Sequence, residues 1–492
     1  MPQKEYLKQI DEVIAAGPYQ DSWRSLAAHG TPEWYHRAKL GIFVHWGIFS
    51  VPAFGNEWYS RNMYNQSKPE FAHHRETYGN QKDFGYKDFI PLFRGEQFDA
   101  QRWVRLFKQA GARYVMPVAE HHDGFAMYHT QFNRWNAVNM GPCVDVMGKI
   151  REACEEQGVR FCASTHRAEH YFFMNLGRTF DSDVNDEAYA DFYGPAVYLP
   201  EFGAERMGDT TETPSTTGPT ESWLTDWMVR TCEFIDNYRP KVLYFDWWIQ
   251  NYAFKPYLKK IAAYYYNRAA QWGEEVSINY KREAFVPGVA TFDVERGALT
   301  EISPVPWQTC TAIGKRSWGY TTNNEFKTPR QIICDLIDIV SKNGMLLLNV
   351  GPRADGTITE EETALLTDLG QWMQVNGEGI YDTVPWKWFG EGSVNAAEGF
   401  FKDGDEKAFT AEDFRFTYRD GCVYAFWMRP AGREVHIRTF ASRGQNDFGI
   451  GQVELLGRAG ELPYIRNGEG LHVRLPEEAC ADRPVCLRIT LL

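Results

Sequence analysis

The chain has 492 residues, 43% of them hydrophobic and 24% charged, which is enough apolar material for a large core and excludes a wholly disordered protein. Fifty-two basic against 65 acidic residues leave a net charge of −13, so neither a nucleic-acid backbone nor an anionic membrane is an expected partner. At about 150 residues per domain the length allows two or three units, and one large barrel reduces that to two. Aromatic residues make up 15% of the chain, an excess that suits a site stacking sugar faces as well as a core. The nine cysteines fall in no zinc spacing, and Cys162 and Cys334 sit inside apolar runs, so a reducing compartment is favoured. The opening Met-Pro-Gln-Lys-Glu-Tyr has no apolar signal core, and no stretch offers eighteen consecutive apolar residues; a cytoplasmic protein is expected. Nothing in the pattern specifies an oligomeric state.

In chain order, continuous apolar runs occur at Gly41–Trp46, Tyr114–Ala119, Val159–Ser164, Val242–Asp246, Val276–Asn279 and Met345–Val350. Unbroken rather than alternating, they read as parallel strands buried on both faces. Between them lie helical patterns. Thr328-Pro329 starts one, with Ile332, Ile333, Leu336, Ile337 and Val340 on a single face and Gly344 as its expected stop. Thr359-x-x-Glu362 is a capping box ahead of Leu365, Leu366, Leu369, Trp372 and Met373. Repeated βα units with no early G-x-G-x-x-G favour an α/β fold of the TIM-like (β/α)-barrel type over a doubly wound sheet. The polar stretch Asp209–Ser222 reads as a surface loop. After about Pro385 the period becomes two: Phe414, Phe416 and Tyr418 alternate with polar residues, Asp420-Gly421 marks a hairpin, and Val485 to Leu491 alternate again. The expected organisation is a barrel over 1–380 and a small antiparallel β-sandwich over 381–492.

In a barrel the chemistry sits where strands end. Those ends carry His45-Trp46, followed by Glu57-Trp58; Glu120-His121-His122-Asp123; His166; Tyr244-Phe245-Asp246-Trp247-Trp248; Asp293-Val294-Glu295-Arg296; and Trp318. Each has an ordinary structural explanation alone, a core histidine or a surface ion pair. Together at one rim they supply two carboxylates and aromatic walls, the requirement for cleaving a glycoside.

The segments WYHRAKLGIFVHWGIFSVPAFGNEWY, YVMPVAEHHDGFAMY, VLYFDWW, SWGY and MLLLNVGPRADGTI resemble the α-L-fucosidases of glycoside hydrolase family 29, from about Trp34 to Trp386. The resemblance implies a barrel-like catalytic domain with a C-terminal β-sandwich. It also implies retaining hydrolysis of terminal α-L-fucosyl residues on oligosaccharides or glycoconjugates, without metal or cofactor. Asp246 matches the family's nucleophile. His45, Glu57, Trp58, His121 and His122 match its sugar-binding positions, and Trp318 the aromatic residue set against the fucose methyl. The chain departs from the family in places. Tyr244 stands where many members have tryptophan. Asn279-Tyr280-Lys281-Arg282 replaces Asn-Asp-Arg, which passes the arginine's sugar contact to Lys281. Gln308 stands where many carry a glutamate, leaving Glu295 or Glu301 as acid/base. Glu295 is favoured, because Arg296 is expected to fix its geometry and its spacing ahead of Ser-Trp-Gly-Tyr resembles some bacterial members. Two other readings stay open. One is a metal-dependent barrel hydrolase using His45, His121, His166 and Asp246; the other is a non-catalytic fucose-binding protein, suggested by Gln308.

Overall fold

Strands with no wet face must pair on both edges and be covered on both sides, and a closed barrel meets both demands. In the computed structural model, which describes residues 2–199, 218–403, 408–442, 448–477 and 483–492, parallel strands close such a ring. They are β1 (Leu40–Val44), β2 (Tyr114–Glu120), β3 and β4 (Arg160–Phe161 and Ala163–Thr165), β5 (Val242–Phe245), β6 (Ser277–Tyr280), β7 (Thr291–Glu295), β8 (Trp307–Ala312) and β9 (Gly344–Val350). β3 and β4 are two pieces of one barrel position, both paired with β2, so the ring has eight positions in chain order. Pairing of β1 with both β2 and β9 closes it, with Phe43 opposite Met116 on one side and Asn349 on the other.

The six apolar runs of the sequence fill six of these positions. β7 and β8 escape the pattern because each carries polar residues into the barrel: Asp293 and Gln308 are wholly buried inside it. Around them the interior holds Phe43, Tyr114, Met116, Val118, Cys162, Val242, Tyr244, Cys310, Met345 and Leu347. Tyr35, on the short helix Glu33–Ala38 ahead of β1, plugs the lower end, its hydroxyl 3.0 Å from the Asn279 side-chain oxygen and against that of Gln308.

The helix Pro329–Ser341 begins at Thr328-Pro329 as expected, and Thr328 and Gln331 form a capping box there. It stops earlier than the sequence suggested. Asn343 turns the chain with a φ of 76°, and Gly344 opens β9 instead of ending the helix. Thr359 caps the helix Glu360–Asn376, and the Glu362 carboxylate reaches on to the Gly351 N–H at 2.8 Å, tying that helix to the end of β9. Of the polar stretch Asp209–Ser222, residues up to 217 lie outside the described residues; Thr220 caps the helix Glu221–Tyr238.

Beyond the barrel, β10 (Val384–Glu391), β11 (Phe414–Arg419), β12 (Cys422–Trp427), β17 (Val485–Leu491) and β14 (Ile450–Leu455) form one antiparallel sheet. β13 (Glu434–Ile437), β16 (Leu471–Arg474) and β15 (Tyr464–Arg466) form a second. Their facing sides share a core of Phe414, Phe416, Val423, Leu487 and Ile489 with Val435, Ile437, Leu471 and Val473. The Asp420-Gly421 turn has φ values of 50° and 82°, as a two-residue hairpin requires. The outer face of the larger sheet lies on the barrel helices: Phe426 meets Trp372, and Arg415 bonds the buried Asp338 carboxylate at 2.5 Å. Residues 392–403, between β10 and β11, run back to the top of the barrel. There the Phe401 N–H donates to the Glu295 carbonyl at 2.9 Å.

Candidate active site

At the upper end of the barrel lies a cavity of about 190 Å³, of the order of a single sugar ring. Its wall holds His45, Glu57, Trp58, His121, His122, His166, Asp246, Trp247, Lys281, Glu295, Trp318 and Phe401, with Tyr244 and Phe43 below. β5 delivers Asp246 one residue past its end, β6 delivers Lys281 in the same way, and β7 ends on Glu295. The Lys281 ammonium bonds both carboxylates, Asp246 Oδ1 at 2.5 Å and Glu295 Oε2 closer still. Two oxygens on one nitrogen lie within about 5 Å of each other, a spacing suited to direct attack by one carboxylate and too small to admit a water on the far side of a sugar.

The electrostatics drive these carboxyls apart. Burial works against an ionised Asp246, but Lys281, His166 and His122 outweigh it and hold its pKa well below the ordinary range. Burial raises Glu295, Lys281 opposes it, and the Asp246 charge pushes it up again, so its pKa ends above the usual value. Its Oε2 also accepts the Trp247 indole N–H at 2.7 Å. Arg296 does not fix Glu295 as expected. It leaves the strand with a φ of 46°, pairs with Asp403 at 3.1 Å and lies 4.7 Å over the Trp318 ring.

Four histidines line the opposite wall. His166 Nδ1 is 3.1 Å and His122 Nε2 3.3 Å from Asp246 Oδ2. Burial lowers His166 to about 4 and holds His45 and His121 well below their usual value, so these three imidazoles are neutral. His122 differs. Burial opposes its cation too, but Glu169, 3.2 Å from its Nδ1, and Asp246 raise its pKa. His121 and His122 both face the cavity because β2 stops at Glu120 and neither obeys strand alternation; their rings lie 4.5 Å apart. His45, His121 and His166 bring ligand atoms within 4.8 Å of one another, as do His122, His166 and Asp246, so the wall could hold a cation on donor geometry alone. The Lys281 ammonium already places a positive charge on Asp246.

Residues 6–378 match the family described as alpha-L-fucosidase. The chain belongs to the α-L-fucosidase family. It is 27% identical over 484 residues to the plasma alpha-L-fucosidase of Homo sapiens, covering 96% of this chain and 91% of that one. It is 27% identical over 390 residues to the alpha-L-fucosidase of Dictyostelium discoideum, 78% of each chain. The crystal structure of Thermotoga maritima alpha-fucosidase in complex with fucose superimposes with a TM-score of 0.75 at 28% identity, over 96% of this chain and 100% of that one. The same enzyme with a mechanism-based inhibitor gives the same values.

Within this fucosidase site, the ten residues singled out from sequence all lie at the one cavity. Their orientations add detail. The Tyr244 ring floors the cavity while its hydroxyl points down to Asp293 at 3.1 Å. Glu57 accepts the Ser317 hydroxyl at 3.0 Å and the Trp318 N–H at 2.9 Å, which sets the Trp318 ring beside His45. Gln308 lies below the cavity, bonding Asp293 at 2.7 Å and the Tyr35 and Tyr114 hydroxyls. Glu301 is exposed in the connection between β7 and β8, outside the cavity wall. Four contributors had no part in the fucosidase reading of the sequence, although His166 was a ligand in the metal-dependent one. His166 stood at a strand end and Asn349 within a quoted motif; Asn349 bonds His45 at 2.6 Å and the Trp318 carbonyl at 2.7 Å. Glu169 and Phe401 carried no local signal.

Proposed function

We propose that the chain is a retaining exo-glycosidase that hydrolyses terminal α-L-fucosyl residues of oligosaccharides or glycoconjugates, with Asp246 as nucleophile and Glu295 as acid/base. One observation carries this reading: two buried carboxyls share one ammonium while their surroundings push one toward the anion and the other toward the acid. The ionised Asp246 attacks the anomeric carbon as the Glu295 carboxyl protonates the departing oxygen, giving a fucosyl ester on Asp246. Glu295, now ionised, takes a proton from water, whose oxygen attacks the same carbon and frees Asp246. His45 and His121, whose neutral forms burial favours, His122, whose cation Glu169 and Asp246 favour, and the Glu57 side chain present donors and acceptors for sugar hydroxyls. Trp58 and Trp318 supply apolar walls. Such a site rejects sugars lacking those hydroxyls because its buried polar groups would then go unpaired.

The test is turnover of 4-nitrophenyl α-L-fucoside with EDTA present, following the anomer first released by NMR. Release of the α anomer with chelator present supports the proposal. Release of the β anomer overturns it. The histidine trio motivates one other reading, a metal-dependent hydrolase, and loss of turnover on adding EDTA would favour it. Binding of fucose without turnover would instead indicate a lectin-like protein.

A further inference from the structure

Phe401 is out of place for an aromatic residue. It is 51% exposed at the mouth of the cavity and holds a φ of 58°, a left-handed conformation that bulky side chains rarely adopt. Strain of this kind persists where the surroundings over-determine it, and it gathers at ligand sites. Here the surroundings do so. The Phe401 N–H is fixed to the Glu295 carbonyl at 2.9 Å, and the N–H groups of Lys402 and Asp403 reach the Arg296 carbonyl at 2.6 and 2.9 Å. The Asp403 side chain is anchored by Arg296 at 3.1 Å, Lys327 at 3.0 Å and Thr311 at 2.8 Å. The result is an apolar ring held in water beside a buried carboxyl.

The ring is not isolated. It lies parallel to Trp247, with centroids 5.8 Å apart and planes 10° apart, and the Trp247 N–H is the one that meets Glu295 Oε2. Acid and aromatic pair therefore form one unit. A general acid must come within about 3 Å of the oxygen it protonates, and the leaving group begins at that oxygen. The histidines and Asp246 take the other wall, where the fucosyl ring belongs. The leaving group consequently meets Trp247 and Phe401 as it departs.

We infer that Phe401 and Trp247 form the leaving-group subsite, a stacking platform for the apolar face of a pyranose. This selects fucose linked to another sugar over fucose carried by a leaving group with no ring. The inference rests on the assignment of Asp246 and Glu295. It adds a second recognition element, contributed by a segment from beyond the barrel.

The experiment compares kcat/KM for an α-L-fucosyl-galactose disaccharide with that for α-L-fucosyl fluoride, whose leaving group has no ring and needs no acid. In Phe401→Ala the ratio of the two should fall about tenfold, and Phe401→Tyr should restore it. With the fluoride as donor, galactose should also compete less well with water for the fucosyl-enzyme in Phe401→Ala, lowering the transfer product. A ratio unchanged by Phe401→Ala, whether both substrates lose equally or neither does, would overturn the inference. So would a ratio that falls while the transfer product stays at its wild-type share, which would leave Phe401 as a support for Glu295, since the fluoride needs no acid. Failure of the underlying assignment looks different: Asp246→Gly would then still turn over the fluoride.

Discussion

Two clusters of buried polar groups sit on the same strand, two residues apart. Asp293 and Glu295 both lie in β7, both point into the barrel, and burial raises the pKa of both. Asp293 is closed in. Its oxygens accept from Gln308 at 2.7 Å, from Tyr244 at 3.1 Å and from the Cys310 thiol at 3.1 Å, with Tyr35 plugging the barrel below. Glu295, one layer up, opens to a cavity, shares an ammonium with a second carboxylate and faces histidines. A raised pKa alone thus marks a structural acid as readily as a catalytic one. Access and a second carboxylate of opposite tendency separate them.

The largest effect belongs to the upper cluster's ionised member. Asp246→Gly should lower turnover of aryl α-L-fucosides by about three orders of magnitude or more while the fold persists. Azide should restore part of it and yield a β-fucosyl azide, since the small anion enters the vacated face. Near-native activity in this variant would move the nucleophile elsewhere.

The two β7 carboxyls then separate by what each loses. Glu295→Ala should cost about 10²–10⁴-fold on fucosyl disaccharides, far less on aryl fucosides with good leaving groups, and should flatten the basic limb of the pH–rate profile. Exposed Glu301, replaced by alanine, should do neither. Asp293→Asn puts an amide N–H₂ among three donors, so it should lower unfolding stability by about 1–3 kcal/mol. Its pH–rate profile should keep both limbs, the basic one moving slightly to lower pH because the Asp293 charge helps raise the Glu295 pKa. A well-folded Asp293→Asn protein with a lost basic limb would erase the distinction between the clusters.

That distinction also explains what was legible in the sequence. Six barrel positions announced themselves as unbroken apolar runs. β7 and β8 did not, because Asp293 and Gln308 interrupt them, so the lower cluster concealed the strands that carry it. Gln308 looked like a lost acid from its place in a motif; in space it is a partner of Asp293, below the cavity floor. The residues at strand ends were readable because barrel topology brings all strand ends to one rim. Phe401 and Glu169 were not. One arrives on a segment crossing back from the sheets, the other on a turn after β4, and no local pattern encodes either contact. Arg296 was misread as the support of Glu295 because sequence adjacency says nothing about which way a residue leaves its strand.

Lys281 joins the upper pair, and its removal sharpens the comparison through pH. Its charge lowers the pKa of Asp246 and opposes the rise in that of Glu295. Without it both pKa values rise. The acid limb of kcat/KM, set by ionisation of Asp246, and the basic limb, set by loss of the Glu295 proton, should therefore both move to higher pH in Lys281→Gln. Gln308 bonds Asp293 and neither member of the upper pair, so Gln308→Met should leave both limbs in place. A Lys281→Gln profile that loses height without moving would make Lys281 a sugar ligand only, the role the sequence first suggested.

The smallest effect concerns the apolar wall. Trp318 is fixed by its main chain, its N–H on Glu57 at 2.9 Å and its carbonyl on Asn349 at 2.7 Å. Its ring leans on His45, with centroids 5.2 Å apart, under the Arg296 guanidinium. Trp318→Ala keeps the main-chain bonds and removes only the ring, so the hydroxyl-reading groups stay where they are. What should change is discrimination by shape. One methyl in an apolar pocket is worth about 1–3 kcal/mol, so the preference for α-L-fucosides over analogues lacking the C5 methyl should narrow by about tenfold. Both substrates should keep their pH–rate profiles, because the ring makes no bond to Asp246 or Glu295. Ratios of kcat/KM for the two sugars, measured across pH, check both halves. An unchanged ratio would place the fucose methyl against another wall, and a shifted profile would mean that the ring shields the carboxyl pair rather than reading the sugar.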